Sequence, residues 1–196
     1  MIIPDPKLVP VNNDLHGKLF WQRFNILKDT PPRFRLTEDW LVTLDDGTQT
    51  VVPHNFETDF ASTPRWFWAL PGFSPSGPLL WGAILHDFGY QYGYLLAIRT
   101  CGVSYPEASH CLRERFPAKF AGLMPVAVGY RQEYFDDLLR QVTIEKTGAE
   151  FVASAAHKVL GWFGGTVWGK YRRKGPAAYN TNSLGLPGVT LFGVKF

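Results

Sequence analysis

His86 and Asp87 stand side by side in residues 77–90, GPLLWGAILHDFGY, a stretch that is otherwise apolar almost throughout. Placed on a helix, Tyr90 falls one turn further on, at i+4 from the histidine and i+3 from the aspartate, so the three groups line one end of a face. Leu79, Leu80, Ile84 and Leu85 around them imply a low local dielectric, where an unpaired carboxylate costs roughly several kcal/mol and needs a partner or a proton. Two other segments can supply partners. A polar stretch after the first apolar residues carries Thr58, Asp59, Ser62 and Arg65, and a later one carries Arg131, Asp136 and Asp137.

Two chemistries fit this gathering. In a catalytic one, the working groups are Asp59, Arg65, His86, Asp87 and Asp137. Asp59, His86 and Asp87 would hold one divalent metal ion, zinc or another, with a position left open for water. Asp87 or Asp137 would be a further ligand or the general base, and Arg65 a clamp for an anionic substrate or a developing oxyanion. In a structural one, Arg65 and Arg131 pair with the aspartates while Thr58 and Ser62 cap backbone groups. Tyr90 and Asp136 then complete a satisfied polar network that fixes a loop against helices. The residue types leave both open, and leave open which of Asp136 and Asp137 belongs.

The remaining histidines read as ordinary surface residues: His16 and His54 lie in expected loops, His110 on a weak helix, and His157 beside Lys158. The run Gly161-Trp162-Phe163-Gly164-Gly165 lacks the Lys and Ser/Thr of a phosphate loop and reads as close packing after a helix. There is no nucleophile elbow, zinc-protease helix or dinucleotide fingerprint. Cys101 and Cys111 have neither zinc-site spacing nor the density of a disulfide framework, and read as reduced thiols. A net charge of +3 with one short basic run at 170–174 does not make the basic stripe of a nucleic-acid face. The first residues show no signal-peptide pattern, and no apolar run reaches the length of a membrane span.

The elements that must position these groups can be read from period and punctuation. With 196 residues, the chain has room for one ordinary domain with extensions. Residues 1–32 read as a Pro- and Asn-punctuated arm or edge segment. Phe34, Leu36, Trp40, Val42 and Leu44 then alternate with polar neighbours, and Asp46-Gly47 separates them from Thr50-Val51-Val52, which predicts a β-hairpin. Ser76 or Gly77 is the expected N-cap of the His-Asp helix, with Pro78 at its first position. Residues 91–130 give little periodicity and read as an insertion, with a short possible helix at 106–116. Helices are predicted over 132–146 and 149–160, stopped by Gly148 and Gly161. The expectation is an α+β fold: a small antiparallel β-hairpin or sheet packed against three to four helices, with irregular N- and C-terminal arms. The core spans 33–168, and 169–196 form an extended C-terminal arm.

The residues also resemble a known family. Residues 58–65 (TDFASTPR), His86-Asp87-Phe88-Gly89-Tyr90, Arg131 with Asp136 or Asp137, and residues 156–165 look like the TDFAS-P-R, HD-Y, R-x-x-AD and V-x-x-FG elements of an uncharacterised domain family found in tailed-phage and prophage genomes. The similarity covers roughly residues 50–168, with the insertion outside it, and implies a phage origin and a shared polar site without an assigned activity. Metal-dependent phosphohydrolases of the HD type are similar in ending a helix on His-Asp. Their upstream histidine would be His54 or His16, but that region reads as a β-hairpin rather than a helix.

Two functions are therefore expected. One is a virion-associated component of a tail, baseplate or head-to-tail joint, assembled in the host cytoplasm, whose C-terminal arm and aromatic surface hold other virion proteins. The aromatic share of 15% favours it. The other is a metal-dependent hydrolase acting on bacterial peptidoglycan or envelope during entry or release.

Overall fold

The computed structural model of the chain describes residues 1–11, 17, 19–21, 33–59, 77–100 and 123–173, and of 98–100 and 123–129 the backbone alone. Among the described residues, seven strands and three helices follow in the order β1 (Leu8–Val11), β2 (Arg33–Leu36), β3 (Trp40–Thr43), β4 (Gln49–Val52), β5 (Glu57–Thr58), α1 (Leu80–Tyr92), β6 (Tyr94–Thr100), β7 (Leu123–Gly129), α2 (Gln132–Thr147) and α3 (Glu150–Arg173). Two antiparallel sheets form among the described residues, one with strand order β1-β2-β5 and one with order β3-β4-β6-β7. The fold is α+β, as the period changes along the sequence predict.

The predicted hairpin is β3–β4, in register Trp40↔Val52 to Thr43↔Gln49. Trp40 and Val42 point inward while Leu41 and Thr43 stay half-buried, the alternation a one-sided strand demands. Gly47 takes φ +79° in the turn, and Thr48 N–H donates to Asp46 Oδ1 at 2.9 Å, so both residues of the Asp-Gly pair serve the reversal. Phe34 and Leu36 belong to the other sheet. There β2 pairs with the two-residue strand β5 through Phe34↔Thr58 and Arg35↔Glu57. Glu57 accepts from Arg33 at 3.1 Å and from Arg35 at 2.6 Å, which pins β5 beside β2.

A common core joins sheets and helices. Leu36, Val42, Val52 and Phe56 meet Ile84, Leu85, Phe88, Phe135 and Val142 there. A smaller cluster, Leu79, Leu139, Ala156, Val159 and Leu160, seats α3 on α1 and α2. Two glycines allow α1 to approach α2 closely. A Cβ on Gly82 would lie 2.6 Å from the Leu139 carbonyl oxygen, and one on Gly89 would lie 2.0 Å from the Phe135 ring.

Several expected boundaries move. Of the two expectations for the start of the chain, an irregular arm or an edge segment, residues 1–11 meet the second: β1 is the edge strand beside β2, Ile2 bridges to Thr43, and Ile3 is buried. Residues 91–130, expected as an insertion, hold at their two ends β6 and β7, which pair over seven residues from Tyr94↔Gly129 to Thr100↔Leu123. Helix α1 begins at Leu80 with Leu79 as N-cap, two residues later than Pro78 suggests. Gly161 does not stop α3. The helix runs on to Arg173, so residues 169–173 are helix and not arm, because their side chains dock on α1 and supply what local propensity lacks. Residues 106–116 and 174–196, for which a short helix and the rest of the C-terminal arm are expected, lie outside the described residues.

Candidate functional site

Four elements bring polar groups to one place. The β2–β5 pairing delivers Thr58 and Asp59, α1 delivers His86, Asp87 and Tyr90, α2 delivers Gln132 and Asp136, and the end of α3 delivers Tyr171. His86 has 0% exposure, Asp136 4% and Asp87 9%. Burial of this order requires partners, and most are present.

Asp136 is the hub. Its Oδ1 accepts from Tyr90 Oη at 2.6 Å and lies 3.0 Å from His86 Nε2, and its Oδ2 accepts from Gln132 Nε2 at 3.2 Å. Against a carboxylate oxygen, Nε2 is the donor. Asp87, the neighbour of His86 on the helix, turns the other way and accepts from Thr58 Oγ1. The second imidazole nitrogen, Nδ1, has no hydrogen-bond partner among the described residues and faces Asp87 Oδ1 at 3.7 Å. That separation is a charge contact rather than a hydrogen bond. The His86 and Tyr90 rings, one turn apart, meet at a tilt of 33° with 4.0 Å between centroids.

Charge follows from this geometry. Burial pulls the His86 pKa down, but the bond to Asp136 and the charges of Asp87 and Asp136 outweigh it, so the net shift is upward. Burial, then the bond to Asp136, raise the Tyr90 hydroxyl well above its ordinary value. Tyr171 is raised by burial first and then by the charges of Asp87 and Asp59, which places all three in one electrostatic neighbourhood.

The structure thus brings Thr58, Asp59, His86, Asp87, Tyr90 and Asp136 to one cluster. Asp137 lies outside it, exposed on the far side of α2, where its Oδ1 meets His157 Nε2 at 2.8 Å. The distinction is one of phase: Gln132, Asp136, Leu139 and Thr143 recur at i, i+4, i+7 and i+11 on an inward stripe of α2, and Asp137 is more than about a quarter of a turn off it. Arg131 is exposed at the extended N-cap of α2, without a side-chain capping bond, and takes no part in the network described. Ser62 and Arg65 lie outside the described residues. Among the described residues, no group of three or more His, Cys, Asp or Glu side chains is placed to hold a metal ion. Gln132 and the α3 residues Trp168, Tyr171 and Arg172 were not foreseen. Gln132 shares the stripe of Asp136 and is legible from it, whereas the α3 residues lie past a glycine run that hides the helix.

The His-Asp helix and residues 58–65 both fall inside a segment that matches a family model. Residues 34–125 match the model of a family described as a protein of unknown function (DUF1353). The resemblance to an uncharacterised domain family is therefore shown over that segment. The DUF1353 match begins in β2 rather than near residue 50, includes residues 91–125, and ends within β7, ahead of Arg131, Asp136 and the 156–165 run. The cluster accordingly joins His86, Asp87 and Thr58 from inside the DUF1353 segment to Asp136 from outside it. Neither a curated protein nor a solved structure matches the chain. No helix of the described residues is long and apolar enough to cross a membrane.

Proposed function

We propose that the chain is a structural component of a larger assembly, of the kind a tailed-phage particle contains, and that its Asp/His cluster holds α1 against α2 and β5. The observation that carries this reading is the closure of the cluster. His86 has no accessible surface, its Nε2 is committed to Asp136, and Tyr90 and Gln132 saturate the same carboxylate. A group meant to meet substrate needs access, and a lock does not. Trp162, 74% exposed, and Phe163, 45% exposed, stand on the outer side of α3 and support contact with other proteins. Mass spectrometry of particles purified from a lysate of the producing cell tests this. The chain in a fixed ratio to the major particle proteins agrees with the reading, and its absence from washed particles overturns it.

One observation favours a second reading, a metal-dependent hydrolase acting on cell-wall or envelope material. His86 Nδ1 is buried without a hydrogen-bond partner among the described residues, and Asp87 and the half-buried Asp59 share the field of Tyr171. Elemental analysis of the purified protein, followed by titration with zinc, manganese and calcium, separates the two. About one metal per chain, lost in a folded Asp59→Ala variant, would favour the hydrolase.

A further inference from the structure

Helix α3 has two unlike halves. In its first half Ala153 is buried, and Ala156, Val159 and Leu160 are buried against Leu79 and Leu139. Residues 161–166 then present only Gly164 to the interior, and Gly161, Trp162, Phe163, Gly165 and Thr166 are exposed. Gly164 is there because α3 crosses Tyr90: a Cβ would lie 2.3 Å from the Tyr90 hydroxyl. Four glycines in nine residues, 161–169, make this the stretch of the helix with least intrinsic reason to be helical.

Beyond it the chain is held again, by a different set of contacts. Trp168 packs edge-on against Tyr90, 5.4 Å between centroids, and against Phe135 at 5.8 Å. Arg172 lies over the Trp168 ring at 4.3 Å and donates through Nη2 to the carbonyls of Tyr90 at 2.7 Å and Gln91 at 3.3 Å. Those carbonyls belong to the C-terminal end of α1, where a cation is favoured by the helix dipole. Gly93, at φ +77°, leaves the space: a Cβ there would lie 1.8 Å from Arg172 Nη1.

We propose that the last two turns of α3, residues 166–173, are a latch over the carboxylate end of α1, hinged at glycines 161–165 and able to open while the first half stays docked. Trp168 is the bolt and Arg172 its catch. Opening frees Tyr90 from Trp168 and moves Tyr171 away from Asp87 and Asp59, while the His86–Asp136 pair, held between α1 and α2, stays closed. This does not depend on the assembly reading and survives its failure.

Hydrogen exchange followed by mass spectrometry on the full chain tests the proposal. Amides of 166–173 are expected to exchange about tenfold or more faster than those of 150–160, though both lie in one helix. Trp168→Ala is expected to speed exchange at 166–173 and at 90–93 together, leaving 150–160 unchanged. Gly161→Ala and Gly165→Ala stiffen the hinge without a clash, since a Cβ meets nothing within 4 Å at the first and only Gln132 Oε1 at 3.7 Å at the second. Each is expected to slow exchange at 166–173 by about fivefold, the factor that corresponds to the helix propensity difference. Equal rates along 150–173 in the unaltered chain overturn the latch, as do glycine variants that leave the ratio unchanged. Trp168→Ala speeding 150–160 as much as 166–173 would overturn it too.

Discussion

Replacing Asp136 with alanine removes the acceptor for three donors at once: Tyr90 Oη at 2.6 Å, His86 Nε2 at 3.0 Å and Gln132 Nε2 at 3.2 Å. Gln132 is half-buried and can turn to water, whereas Tyr90 is 1% and His86 0% exposed, and neither can. A buried donor left unsatisfied costs about 1–3 kcal/mol, and breaking a buried charge pair from one side about 3–5 kcal/mol. The expected loss is therefore about 3–5 kcal/mol, a large part of the roughly 5–15 kcal/mol that holds a domain. For a chain of this length that lowers the melting temperature by roughly 6–20 °C. The control is the next residue. Asp137→Ala removes only an exposed pair with His157 and should cost less than about 1 kcal/mol. Urea unfolding of the two variants side by side gives the comparison. If the two losses agree within about 1 kcal/mol, the assignment of Asp136 as hub is refuted.

Two further outcomes are expected. The raised His86 pKa means that the folded state binds this proton more tightly than the unfolded chain, for which the reference is 6.5. Its stabilisation is complete below that pH and is lost as pH rises through the folded value, so urea midpoints should fall above pH 6.5, and a folded His86→Gln variant should lack that fall. An unaltered chain whose stability is flat or rising over this range would contradict the charge assignment. Gly89→Ala drives a Cβ to 2.0 Å from the Phe135 ring and should destabilise by about 1–3 kcal/mol in thermal unfolding, from overpacking between α1 and α2.

Much of the fold was legible where a local pattern and a tertiary demand coincide. The alternation of Trp40, Val42 and Leu44 around Asp46-Gly47 marks a one-sided hairpin, and the apolar run about His86 marks a helix buried on nearly all sides. Gly148 stops α2 because it alone supplies the left-handed residue, φ +68°, that the cap needs. Gly161 carries the same local signal and is overridden, because Trp168 and Arg172 dock beyond it. Strand β1 was hidden for a related reason: with Pro10 inside it, four residues gain their regularity only from pairing with β2. In the cluster, the sequence pointed to Thr58, Asp59, His86, Asp87, Tyr90 and Asp136, but equally to Asp137 and Arg131, which stay outside, and it did not tell which carboxylate each group would face. His86 meets Asp136 and Asp87 meets Thr58, a division set by how α1 is rotated between α2 and β5.

Gly82 and Gly89 lie seven residues apart, two helical turns or about 10.5 Å along α1. One fits the Leu139 backbone and the other the Phe135 ring, so together they are two notches cut to one key. A slide of α1 by a single turn in either direction would bring a bulky side chain such as Leu85 or His86 to a place that tolerates only hydrogen. The pairing of His86 with Asp136 is thus addressed by subtraction: where side chains are missing determines where the charged ones meet. Two residues that make no hydrogen bond of their own through a side chain set the alignment of a buried carboxylate that three donors share.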